Sequence, residues 1–198
     1  MKRPIIMFAI ASLGLAASHP GHAADLAGIA LDRPVRLAEC AERQHDYIPD
    51  DRTTCFKVTA GPSRDPYAAA AKPPVDGSVI VSIARPDRPN FMSGSDAVVV
   101  LKAGSVVSIS VRTHGANGEG GDFRALKDLF GDATARQEIV SWNTGGRGPV
   151  QTQTGLLADW TLPGDETVYF NSGEFGVYFG LVRLQTSAAP THRNGVWD

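Results

Sequence analysis

An α+β fold is predicted for this chain: a mostly antiparallel sheet with one amphipathic helix packed on it, plus an irregular, disulfide-stapled N-terminal segment. Three observations predict it. From residue 79 onward, runs rich in valine and isoleucine follow one another across short turns, which favours antiparallel pairing. A single stretch, 122–130, carries apolar residues at helical period. Two cysteines, Cys40 and Cys55, sit in a proline- and glycine-punctuated region ahead of the first run.

The elements are taken in chain order. Residues 79–84 form a β-branched run, and 97–102 another that is almost wholly apolar, as a strand covered on both faces requires. Ala103-Gly104 makes a tight connection to a strand at 106–112. There, alternation places Val107, Ile109 and Val111 on one face, with Ser108, Ser110 and Arg112 on the other. A glycine-rich loop, 115–121, precedes a helix that Asp122 opens. Its apolar stripe is Phe123, Leu126, Leu129 and Phe130, Lys127 and Asp128 point outward, and Gly131 ends it. Strands follow at 137–142, 156–162, 167–171 and 177–185, with a polar stretch at 151–154. Leu156, Ala158, Trp160 and Leu162 share a face, and Pro163-Gly164-Asp165 marks a turn.

The chain begins with Lys2 and Arg3, an apolar run over 4–17, and small residues at Gly21-His22-Ala23. That is the pattern of a secretory signal peptide cleaved after Ala23. The apolar run is short for a membrane span, and no later stretch approaches that length. The expected organisation is a signal peptide at 1–23, the irregular disulfide-containing segment at 24–76, an α+β core at 77–186 and a flexible tail at 187–198. Within the second unit, residues 60–76 read as a linker whose alanines are stopped by Lys72-Pro73-Pro74. An even cysteine count in an exported chain reads as one disulfide, Cys40–Cys55, in a periplasmic or secreted protein. Closing a loop of that size stabilises by roughly 3 kcal/mol on the chain-entropy model.

The formal charge is −2, and loss of Lys2 and Arg3 with the leader takes it to −4. A mild acidic excess argues against nucleic acid as a partner and against electrostatic capture by an anionic membrane. Stable membrane insertion is not expected.

Motifs of catalysis are weak. The loop Thr113-His114-Gly115-Ala116-Asn117-Gly118-Glu119-Gly120-Gly121 runs from strand to helix, but Phe123 stands where a dinucleotide fingerprint needs its third glycine. Ser93-Gly94-Ser95-Asp96 precedes a strand and is not a nucleophile elbow; a turn with Asp96 bonding its own backbone is expected. Asp50-Asp51 and Asp165-Glu166 sit in turns. The histidines are scattered, so neither a metal site nor a cofactor is assigned. Trp160 belongs to the core, whereas Trp142 ends a strand beside polar residues, where an aromatic can anchor a peptide or sugar. Tyr169, Tyr178 and Phe179 line either a groove or the core.

The stretch Leu31-Asp32-Arg33-Pro34-Val35-Arg36-Leu37-Ala38-Glu39-Cys40, followed by Tyr47 and Cys55-Phe56, resembles the cysteine-bearing opening of a family of uncharacterised exported bacterial proteins. Leu126-Lys127-Asp128-Leu129-Phe130-Gly131-Asp132-Ala133-Thr134 is similar to a helix-ending segment there, where proline often takes the place of Ala133; Trp160-Thr161-Leu162 also fits. The resemblance implies no activity and no functional residues.

These readings favour a non-enzymatic exported module that binds a protein partner or small ligand, such as a periplasmic inhibitor or immunity protein. Its expected surface is the 113–121 loop with 142–147, through His114, Asn117, Trp142 and Arg147. The alternatives are an envelope-acting hydrolase using His114 with Asp122 or Glu119 as acid–base groups, and a structural subunit of an envelope assembly.

Overall fold

The structure is a computed structural model and describes residues 24–40, 52–57, 73–143 and 150–190. The expected leader at 1–23, residues 60–72 of the expected linker, Arg147 and residues 191–198 of the expected tail lie outside the described residues. Two short strands, β1 (Asp25–Leu26) and β2 (Ile29–Ala30), form a hairpin. The main sheet contains β3 (Cys55–Lys57), β4 (Gly77–Ser82), β5 (Asp96–Lys102), β6 (Ser105–Thr113), β7 (Ala135–Asn143), β8 (Val150–Thr161), β9 (Thr167–Asn171) and β10 (Gly180–Gln185). One α-helix, α1 (Glu119–Phe130), lies between β6 and β7. The fold is thus a mostly antiparallel sheet with one helix and a Cys40–Cys55 disulfide.

The eight strands are ordered β3-β4-β5-β6-β10-β9-β8-β7, and every neighbouring pair is antiparallel. After β6 the chain passes through α1 to the far edge and returns by hairpins until β10 closes against β6. That return places Gly180 opposite Thr113. The loop leaving β6 and the loop entering β10 therefore emerge at the same end of the sheet.

Alternation fills one core. Val79, Val81, Ala97, Val99, Ile109, Val111, Leu156, Ala158, Trp160, Val168, Phe170, Val182 and Leu184 are buried there. Leu26, Ile29 and Leu31 of the N-terminal segment and Leu126 of α1 join the same cluster. Trp160 is the largest buried side chain among the described residues. Its ring lies 5.8 Å from that of Phe123 and 6.4 Å from that of Phe130, and its Nε1–H donates to the Gly131 carbonyl at 2.9 Å.

Several expectations need correction. α1 begins at Glu119, a turn before Asp122, because Gly118 supplies the carbonyl that Asp122 N–H bonds at 2.9 Å. Leu129 is not part of the buried stripe: it is 52% exposed, and the inward face is Phe123, Leu126 and Phe130. On β6 a bulge opposite Val100/Leu101 inserts one extra residue. Val106 therefore joins the core, while Val107 lines a recess on the other face with Ser78 and Val100. Finally, Asp96 begins β5 and takes Lys57 Nζ at 2.8 Å rather than bonding its own backbone.

The expected 151–154 and 156–162 segments are one continuous strand, β8, with a register shift opposite Ile139/Val140. Ala103-Gly104 is the two-residue turn its sequence suggests. Both residues have positive φ, +49° and +77°, matching the mirror-image turn that follows strand twist.

Candidate functional site

The shared end of β6 and β10 collects the polar and aromatic groups. His114 follows Thr113, the last residue of β6, and Asp122 sits in the first turn of α1. The Asp122 side chain is 3% exposed. It accepts the His114 backbone N–H at 2.9 Å through Oδ2 and bonds the ring Nδ1 at 2.8 Å through Oδ1. Two charge-assisted bonds offset the cost of burying that charge. An ionised carboxylate only accepts, so opposite one the ring would be the donor through Nδ1. The His114 side chain is 46% exposed, and Asp122 is its one side-chain partner among the described residues.

A second tie fixes the start of the helix. Ser172 Oγ–H donates to Glu119 Oε2 at 2.9 Å and accepts the Leu156 N–H at 2.7 Å. Asn117 is exposed in the same loop.

Gly115 brings a second loop against the first. Its φ is +71°, and a Cβ there would lie 2.4 Å from the Tyr178 carbonyl carbon and 2.6 Å from the Phe179 nitrogen. The backbone of 177–179 therefore rests directly on Gly115. The loop is closed by Phe175 N–H to the Phe179 carbonyl, 3.0 Å, and by Gly176 N–H to the Gly173 carbonyl, 3.1 Å. Val177, Tyr178 and Phe179 remain 49%, 70% and 41% exposed. The Arg112 guanidinium stands 5.6 Å from the Phe179 ring centroid.

Among the placements expected from sequence, His114 and Asn117 share this end of the sheet. Trp142 lies on β7 with its backbone opposite Gln151, while its side chain and Arg147 lie outside the described residues. The aromatic loop was missed as a loop because its apolar residues read as the beginning of a strand. The strand begins only at Gly180, and Gly173 and Gly176 were the local signal for a turn.

No family model, curated protein or solved structure matches this chain.

Next to the loops, one sheet face carries a polar row across four strands: Asp159, Tyr169, Arg183 and Ser110 are successive cross-strand partners. Arg183 Nε donates to Ser110 Oγ at 3.2 Å. Asn171 Nδ2 reaches the Tyr169 hydroxyl at 3.2 Å and Glu174 Oε2 at 2.6 Å. Burial pushes the Tyr169 phenol above its ordinary value; Glu174 and Asp159 push the same way, against the Asn171 bond and Arg183. Burial alone raises the Asp159 carboxyl.

A raised carboxyl means that ionised Asp159 opposes folding. Its contribution is favourable below the ordinary value of 3.8 and is lost as pH rises through the folded-state value. Asp159→Asn is therefore expected to be more stable than the parent at pH 7, by up to about 0.5 kcal/mol for so exposed a position. The advantage closes at pH 3. Urea unfolding at the two pH values checks this, and a variant less stable at pH 7 would contradict it.

Among the described residues no group of three or more His, Cys, Asp or Glu is placed to hold a metal ion. No described helix is long and apolar enough to cross a membrane. Chemically, the site offers an exposed aromatic and cationic surface and one oriented imidazole.

Proposed function

We propose that this protein is an exported, non-enzymatic binding module. Its partner is a second protein, and its contact surface is the Val177–Phe179 loop with Arg112, His114 and Asn117. One observation carries the reading: three consecutive large apolar residues are held exposed on a loop seated on Gly115. Aromatic residues and arginine on a preorganised loop are the groups that dominate interface energies. Export is supported by the leader-like opening and by the disulfide, which persists in oxidising compartments. A periplasmic inhibitor or immunity protein is the specific form we favour.

The test is native mass spectrometry of the chain drawn gently from its own envelope fraction, beside Tyr178→Ala/Phe179→Ser. The parent is expected to carry the mass of a second polypeptide, and the double variant to emerge bare at an unchanged melting temperature. A bare parent, or a variant that keeps the same mass, overturns the proposal.

A hydrolase acting on envelope material is the second reading, favoured by the His114–Asp122 contact. A half-exposed imidazole held by a buried carboxylate has the arrangement of a general base. That reading predicts saturable turnover of an envelope ester or amide that vanishes in His114→Ala. The binding module predicts no turnover in either protein.

A further inference from the structure

The N-terminal segment borders an open recess that the reading above does not use. After the β1–β2 hairpin the chain is lashed to the start of β6. Asp32 N–H bonds the Val106 carbonyl at 2.8 Å, Val106 N–H bonds the Arg33 carbonyl at 2.9 Å, and Pro34 forms a bridge with Ser105. A second anchor follows at β3, where Cys40 N–H bonds the Phe56 carbonyl at 2.8 Å and Phe56 N–H bonds the Ala38 carbonyl at 3.0 Å. Residues 35–37 span the gap between the anchors. The recess against them has a volume of about 420 Å³.

Its lining has two chemistries. Ile29 and Val106 are core residues, and Val35 and Leu37 are partly buried against the same core. The charged residues of the described lining are Arg33 and Arg36; Asp32 precedes Arg33 in the chain but does not line the recess. Both arginines are exposed, and neither has an ion-pair partner among the described residues. Two cations thus border an apolar floor in a chain whose net charge is negative.

We propose that this recess binds a single-chain fatty carboxylate, with the tail along Val35 and Leu37, which overlie the buried Ile29 and Val106, and the carboxylate on Arg33 and Arg36. The charge selects an anion, because guanidinium groups match a carboxylate with paired N–H donors. The apolar floor selects a hydrocarbon tail over a small polar anion, which would leave that surface wet. The volume lies near the lower end of the roughly 300–1,000 Å³ usual for ligand pockets. The two backbone anchors preform the walls, which lowers the ordering cost of binding.

The test is calorimetric titration of the disulfide-intact protein with dodecanoate below its micellar concentration. Dodecyltrimethylammonium and inorganic phosphate serve as comparison ligands. One saturable dodecanoate site is expected, weakened at least about tenfold in Arg33→Ala/Arg36→Ala. Because both side chains are exposed, the double variant keeps its melting temperature. In Arg33→Glu/Arg36→Glu the preference passes to the cationic amphiphile. The proposal is overturned by absence of a saturable dodecanoate site, by equal affinity in the alanine variant, or by phosphate binding as tightly as dodecanoate.

Discussion

Trp160→Ala is expected to lose about 3–5 kcal/mol of stability, the largest effect of any single side-chain truncation among the described residues. Trp160 is 1% exposed and the largest buried side chain among the described residues. It joins the sheet to the helix: its ring meets Phe123 and Phe130 of α1, and its indole N–H holds the Gly131 carbonyl just past the helix end. Truncation removes the ring's burial and leaves a cavity between β8 and α1, and the helix loses its main contact with the sheet. A 12-residue helix is marginal without such packing. Hydrogen exchange in α1 should therefore accelerate together with the fall in urea midpoint. Trp160→Phe retains most of the apolar contact and gives up the N–H bond, so its loss is smaller, with about 1 kcal/mol from that bond. A Trp160→Ala loss below about 1 kcal/mol would show that α1 does not depend on this ring.

Gly115→Ala is expected to cost about 2–4 kcal/mol, and to disable the proposed contact surface as well. Two penalties act together. A Cβ at φ +71° meets the steric cost of left-handed backbone, about 1–2 kcal/mol. The same Cβ would sit 2.4–2.7 Å from backbone atoms of Val177, Tyr178 and Phe179, so one loop must leave the other. Gly120→Ala is the matched comparison. It lies in α1, is exposed, and its Cβ would meet nothing within 4 Å. It should stabilise by about 0.5–1 kcal/mol through helix propensity. Urea unfolding of the two variants measures both signs. Native mass spectrometry then reads whether Gly115→Ala has also lost the partner. A Gly115→Ala protein as stable as the parent would mean that the two loops do not touch in solution.

The two loops show why the candidate site was only half legible. His114 and Asp122 are eight residues apart, within reach of a strand-to-helix connection, and both stood out in the sequence as polar groups near its glycines. Tyr178 meets Gly115 only because β10 pairs with β6, a contact set by strand order. Nothing local to residues 177–179 encodes that neighbour. Their apolar character reads equally as strand interior or as exposed anchor.

Local patterns by themselves determined the β-branched runs, the 167–171 strand, the turn at Ala103-Gly104, the inward face of Leu156, Ala158 and Trp160, and the pairing of two cysteines. Each depends on side-chain period, backbone sterics or a count of two, and these act over a few residues or admit one solution. Tertiary structure alone decided that Leu129 faces solvent, that a bulge sends Val106 and not Val107 inward, and that Arg33 and Arg36 border an apolar recess. Those outcomes depend on which element lies opposite. Burial and charge environment belong to pairs of segments distant in sequence, so no window along one segment contains them.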